Sequence, residues 1–141
     1  MATRKLGFSA LMRAIYDRID THALTSSYSV YNHAPRSAAF PFVTFGTPIG
    51  TESRMLGSRD TEGETNIVTV HVWSEEAGDK ECGDMMNNLV QAMLGSDLTV
   101  TGYFSPVDAV LDYADLSLDL SNPSRPVRHG ILRFRFEMAP S

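Results

Sequence analysis

Five side chains in the sequence are of the types that bind transition metals, namely four histidines and one cysteine: His22, His33, His71, Cys82 and His129. No two of them stand at a His-x3-His or Cys-x2-Cys spacing, and the sequence has no HExxH. His22 falls at the predicted end of a helix, and His71 lies between the valines of a predicted strand; both positions have structural explanations. We therefore expect no metal site and no cofactor.

A second candidate is an acidic series, Asp108, Asp112, Asp115 and Asp119, because carboxylates are calcium ligands. A calcium loop of the EF-hand type needs oxygen ligands at alternating positions, a central glycine and a closing glutamate. The series has none of these in the required register. The pattern favours a solvated acidic edge.

The sequence also lacks the motifs of nucleophilic catalysis and of phosphate binding. It contains no Gly-x-Ser-x-Gly elbow, no Walker sequence and no Gly-x-Gly-x-x-Gly. The formal net charge is −5, which argues against a protein whose main task is to grip nucleic-acid phosphates. We expect a protein that is not an enzyme; a small enzyme with an unrecognised site remains the alternative from another class.

Length and composition predict one ordinary globular domain, spanning residues 1–141 with 43% hydrophobic residues. A single cysteine excludes an intrachain disulfide and fits folding in a reducing cytosol. No apolar run approaches the roughly 20 residues of a membrane helix, and no signal peptide is evident. We expect a soluble protein made in the cytosol.

Hydrophobic periodicity predicts two helices. The first runs to about His22 with Ser9 as its N-cap, and the second follows Asp79 and ends near Leu94. Period-two and β-branched segments predict the strands, which are Ser29 to Tyr31, Phe42 to Phe45, Thr65 to Trp73, Leu98 to Val100, Val107 to Leu111 and Val127 to Met138. A polar turn is expected around Asp112 to Asp119. The predicted fold class is α+β, with a mixed, mostly antiparallel sheet and two helices packed on one of its faces.

Alternation along the strands predicts which side chains form the core. In the last strand, Phe134 and Phe136 share the core face, whereas Arg133 and Arg135 point away from it. Both faces of the Thr65 to Trp73 strand are largely apolar, which predicts a central strand covered on both sides. The predicted core consists of Leu11, Ile15, Val43, Val68, Val70, Val72, Met85, Leu89, Leu132, Phe134 and Phe136.

The stretch from Thr47 to Gly63 is rich in glycine and polar residues, and it predicts a long loop or irregular hairpin arm. Its candidate contact residues are Arg54, Met55, Leu56 and Arg59. They would reach a neighbouring subunit; the alternative is a surface loop without a partner. Arg133 and Arg135 are the other interface candidates, because arginine is enriched at interfaces. A solvated outer face is their alternative.

Several short motifs follow one another along the chain: Val30-Tyr31 before a proline, Phe40 to Val43, Val70 to Ser74, Lys80-Glu81 opening a helix, and Arg128 to Arg135. Their order and spacing, from about Leu11 to Met138, resemble the tail-completion family of long-tailed bacteriophages and gene-transfer agents. That family includes tail-terminator and tail-to-head joining proteins. The stretch Asp112 to Arg125 departs from the family by its length and acidity.

The resemblance implies a structural virion protein of the tail or neck, assembled in the cytoplasm of a host bacterium. It implies self-association into a ring, usually a hexamer, that terminates the tail tube. The expected partners are the tail-tube protein and the head-tail connector or stopper protein, with genomic DNA passing through the lumen without specific binding. No membrane is involved. A head-completion (stopper) protein or a tail-tube protein of the same virion is the nearest alternative.

Overall fold

The computed structural model describes residues 6–54, 62–104, 107–121, 124 and 126–141. Its two helices are α1 (Phe8–Thr21) and α2 (Lys80–Leu94). The six strands are β1 (Val30–Tyr31), β2 (Phe42–Phe45), β3 (Ile49–Arg54), β4 (Glu62–Ser74), β5 (Asp108–Asp119) and β6 (Val127–Met138). The predicted α+β class is confirmed, and β6 has the predicted bounds.

The six strands form one sheet in the order β1-β2-β4-β6-β5. The long strand β4 is its centre: β6 pairs along one side, while β2 and β3 pair with different parts of the other side. Every pairing is antiparallel except that of β1 with β2, which is parallel. The prediction of a mixed, mostly antiparallel sheet is therefore confirmed.

The core lies between one face of the sheet and both helices. Val68 of β4 faces Phe134 of β6, and Val70 faces Leu132, and all four side chains are no more than 1% exposed. Leu11, Ile15 and Ile19 of α1 and five residues of α2 complete the same hydrophobic cluster from the other side. All eleven predicted core residues are buried.

A single arginine ties the two helices together. The Arg18 guanidinium, on α1, donates from Nη1 to the Ala92 carbonyl at 2.8 Å and to the Ser96 carbonyl at 3.3 Å. Its Nη2 donates to the carbonyl of Asp97. These carbonyls lie at the end of α2, where the helix dipole favours a cation and carbonyls lack helical partners. The helical periodicity of α1 predicts Arg18 on the solvent side of the helix, so the sequence did not reveal this contact.

Three local predictions were wrong. The polar turn expected around Asp112 is instead strand: β5 continues to Asp119, with a bulge between Leu111 and Tyr113. Leu98 makes one isolated bridge to Val107 and does not begin a strand. The helix α1 starts at Phe8, and its cap residue Gly7 makes no side-chain cap hydrogen bond, so Ser9 is not the cap.

The expectation that β4 is covered on both faces was also wrong. Val68, Val70 and Val72 are buried, but their neighbours Ile67, Thr69, His71 and Trp73 are only partly buried. Both helices occupy the same side of the sheet. The apolar side chains of the second face therefore lie on an open surface.

Candidate interaction surface

The face of the sheet that points away from the helices, here called the outer face, is formed by alternate residues of neighbouring strands. The strand register places Thr44 beside His71, Trp73 beside His129, and Arg133 between Thr69 and Tyr113. Within the described residues, both helices pack on the opposite face. The outer face is thus an open surface of the sheet in the described part of the chain.

One half of the outer face is a ladder of stacked rings, here called the aromatic ladder: Phe40, Phe42, Trp73, His129 and His71. The Trp73 and His129 rings are nearly parallel, at 7°, with centroids 3.8 Å apart. Phe42 stacks on Trp73 at 6.3 Å and contacts Phe40 at 5.0 Å. The Trp73 indole donates from Nε1 to Thr44 Oγ1 at 3.1 Å, so its polar atom is satisfied. The ladder is a fixed platform.

The two histidines of the ladder share a short hydrogen bond, with His71 Nδ1 and His129 Nε2 2.8 Å apart. Burial lowers the pKa of His71, and burial followed by the neighbouring His71 ring lowers the pKa of His129. Asp119 and Asp115 act in the opposite direction on His129. Two imidazoles that share one hydrogen bond disfavour double protonation, because a second charge would face the first at close range.

The other half of the outer face is charged. Arg133 and Arg135 are exposed, as the alternation of β6 predicted. The Arg133 guanidinium carbon lies 5.3 Å from the centre of the Tyr113 ring, which is 46% exposed. An arginine above an aromatic ring can still offer its hydrogen-bond donors to a partner.

The predicted arm is in part a regular hairpin. Ile49–Arg54 pairs with β4 from Ile67 back to Glu62, so the stretch expected as a long loop or irregular hairpin begins and ends as paired strand. Arg54 is the last residue of β3. Met55, Leu56 and Arg59 lie outside the described residues. Ile49 is 62% exposed at the base of the arm.

The structure thus separates the predicted contact residues into two groups. Arg133 and Arg135 lie near the middle of β6 on the outer face, whereas Arg54 ends β3 at the far end of the hairpin. The aromatic ladder was missed, although its members Phe40, Phe42 and Trp73 stood in the motifs that carry the family resemblance. The sequence signal that could have revealed the ladder was the apolar second face of β4.

Within the described ranges, no three His, Cys, Asp or Glu side chains form a group that could hold a metal ion. The Cys82 thiol is buried, and burial together with Asp79 and Glu81 raises its pKa to about 11, which disfavours the nucleophilic thiolate. No helix in the described part of the chain is long and apolar enough to cross a membrane.

Comparison with known proteins agrees with the motif order. The structure is similar to a chain in the virion of a native gene transfer agent particle, with a TM-score of 0.72 and 16% sequence identity. The similarity covers 96% of this chain and 99% of the other. At this identity the likeness establishes the shared fold. No curated protein sequence matches significantly.

The family model for tail completion protein gp17 matches residues 9–138, nearly the whole chain. The matched region includes both helices, all six strands, the aromatic ladder and the hairpin. The chain therefore belongs to the tail completion protein gp17 family.

Proposed function

We propose that the protein closes the head-proximal end of a phage tail tube as a ring of identical subunits and joins the tail to the head. Its family gives it a structural tail-completion role in the tail of a phage-like particle. The match over residues 9–138 carries the proposal, because it spans the full set of elements and not a shared fragment. The ring, with six subunits as the expected number, is our addition.

The open surfaces of the chain support assembly with other subunits. The outer face presents stacked aromatic rings beside two exposed arginines, and interfaces are enriched in both residue types. The hairpin arm gives a second contact, with Arg54, Met55, Leu56 and Arg59 as the residues that reach a neighbour. Arg133 and Arg135 belong to the first surface. A tail-completion protein needs at least two partners besides itself.

Those partners are a tail-tube protein below the ring and a connector or stopper protein of the head above it. Genomic DNA passes through the lumen without specific binding. The formal charge of −5 fits this role, because a negative lumen repels phosphates and lets DNA slide. We also propose that the chain has no catalytic activity, in line with a family of structural virion proteins.

The test is the state of the purified protein, measured by light scattering after size-exclusion chromatography and by negative-stain electron microscopy. We expect closed rings of one size whose mass does not grow with concentration. Open stacks that lengthen with concentration would instead identify a tail-tube protein, because a heterologous contact that does not close continues without limit. A purified protein that binds isolated heads but not isolated tails would instead be a head-completion protein.

A further inference from the structure

The strand β5 is an edge strand with unusual exposure. It pairs with β6 on one side, and no other strand of the described chain pairs with its second side. None of its twelve residues is buried. Three of them have large hydrophobic side chains that are 38–46% exposed, namely Leu111, Tyr113 and Leu118. Proteins rarely leave a long edge with apolar side chains open, because it invites pairing with another chain. An edge of this kind is normally covered in the assembled state.

The charge of this edge is of one sign. Between Asp108 and Asp119 the chain has four aspartates and no basic residue. The register places Asp108, Asp115 and Asp119 on the outer-face side, while Asp112 lies at the bulge. Within the described residues, no ion pair of 4.0 Å or less involves these four carboxylates. We call the open side of β5 the acidic edge.

The opposite side of the same sheet has the complementary composition. Residues 22–48 contain no aspartate or glutamate, one arginine (Arg36) and two histidines, His22 and His33. They form β1, which is the other end of the sheet, together with β2 and the segments that flank them. Arg36 and His33 are exposed in the segment that follows β1. We call residues 22–48 the acid-free edge.

We propose that the acidic edge of one copy of this protein docks against the acid-free edge of the next copy. Carboxylates on β5 then meet a surface without carboxylates, and Arg36 supplies the opposing charge. In this contact the exposed side chains of Leu111, Tyr113 and Leu118 become shielded from water. The inference rests on the self-assembly proposed above and names the surfaces that carry it.

The same charges disfavour the simpler pairing of β5 with β5. A twofold contact between identical edges would bring the four aspartates of one copy against those of the other, and like charges across paired strands are destabilising. A contact between two different edges is heterologous, so each copy has one edge left to bind another copy. Such a chain of contacts ends only when it closes, which is the geometry of a ring.

Charge reversal tests the docking directly. We expect Asp112→Lys/Asp115→Lys to weaken self-association by about 10–100-fold, most strongly at low salt, because the repulsion is screened by ions. Sedimentation velocity over a concentration series measures this, and a thermal melt checks that each variant is folded. The matched control is Glu76→Lys/Asp84→Lys, which changes the net charge equally at exposed positions before and on α2. The control should assemble like wild type.

Reversal of the second edge identifies the partner surface. Arg36→Asp alone should also weaken association, whereas Asp112→Lys/Asp115→Lys combined with Arg36→Asp in one chain should restore it. An equimolar mixture of the two singly reversed proteins should assemble as well, because each altered edge then finds its complement. If the combined variant associates no better than Asp112→Lys/Asp115→Lys, the acidic edge has a different partner and the proposal is overturned.

Hydrogen exchange of the wild-type protein needs no substitution. We expect amides of residues 108–119 and of residues 29–45 to exchange about tenfold or more slowly in the assembled sample than in a dilute one. Protection confined to other regions would overturn the edge proposal while leaving the ring intact. A wild-type protein that remains monomeric at every concentration would instead contradict the proposed self-assembly.

Discussion

Phe134 lies at the centre of the core, where it is 1% exposed, faces Val68 across the strand pair and contacts Phe136. Phe134→Ala should lower the free energy of unfolding by about 3–5 kcal/mol, since the ring leaves a cavity that the sheet cannot close. Urea unfolding measures the loss. The control is Phe104→Ala, at a ring that is 62% exposed, which should cost no more than about 0.5 kcal/mol. Equal losses would contradict the assignment of faces on β6.

The hydrogen-bonded pair of His71 and His129 predicts a pH dependence of stability. The pKa of each ring lies below the ordinary 6.5 in the folded protein, mainly because of burial. As the pH falls below about 6.5, the unfolded chain therefore takes up protons before the folded chain does, and the free energy of unfolding decreases. Between pH 7.5 and 5, His71→Gln/His129→Gln should reduce this slope.

The control for that experiment is His33→Gln, at an exposed histidine outside the aromatic ladder. It leaves the 2.8 Å contact intact and should keep the wild-type slope in thermal melts across the same pH range. A double variant with the wild-type slope would show that His71 and His129 do not cause the pH dependence of stability.

At the scale of single residues, period-two alternation predicted the orientation of Arg133 and Phe134, because each strand position fixes its own face. The aromatic ladder could not be predicted in this way. Trp73 and His129 are separated along the chain, and their stacking depends on the register between β4 and β6. Register is a property of the sheet and cannot be read from either strand alone.

The contact between the helices predicts an asymmetry between two arginines of α1. Arg18→Ala should cost about 1–3 kcal/mol, because it removes charge-assisted hydrogen bonds to carbonyls at the end of α2. Arg13→Ala should cost at most about 0.5 kcal/mol, since its side chain is 84% exposed and its pair with Asp17 spans 3.9 Å. Denaturant midpoints of the two variants measure the difference. If Arg18→Ala and Arg13→Ala had the same denaturant midpoint, the Arg18 contacts would not stabilise the packing of the helices.

The hairpin arm makes a prediction that separates stability from assembly. Replacing Met55 and Leu56 with serine, or Arg54 and Arg59 with glutamate, should leave the melting temperature of the monomer near that of wild type. The same changes should block ring formation and head-tail joining, because ordering an arm is favourable only where its side chains find partners. Size-exclusion chromatography and an in-vitro joining assay measure both effects. If the double serine variant supported normal head-tail joining, the arm would be only a surface loop.

At the scale of elements, strong periodicity predicted most of the fold, and weak periodicity explains the errors. The regular alternation of β6 gave its bounds, whereas β5 was missed beyond Leu111. The bulge between Leu111 and Tyr113 interrupts the alternation, and aspartate and serine are unfavourable in strands. The hairpin was only partly recognised because Gly50 and polar residues weaken the strand pattern of β3.

The molecule as a whole combines one well-packed face with several open surfaces. Both helices cover one side of the sheet, so the core forms within the chain. We propose that the outer face, the acidic edge and the hairpin arm make the contacts with other chains. Sequence patterns placed all eleven predicted core residues correctly, whereas the contact residues stay predictions. Core positions follow from periodicity, whereas an interface depends on a partner that the chain does not contain.

The central claim is that this tail-completion protein terminates the tail and joins it to the head. Electron microscopy of particles from a host that carries a disrupted gene tests it most directly, with complementation by the intact gene as the control. We predict full heads without tails, together with headless tails of abnormal and variable length. Normal particles in the absence of the gene product would contradict the account, as would heads and tails that join normally while another structure is missing.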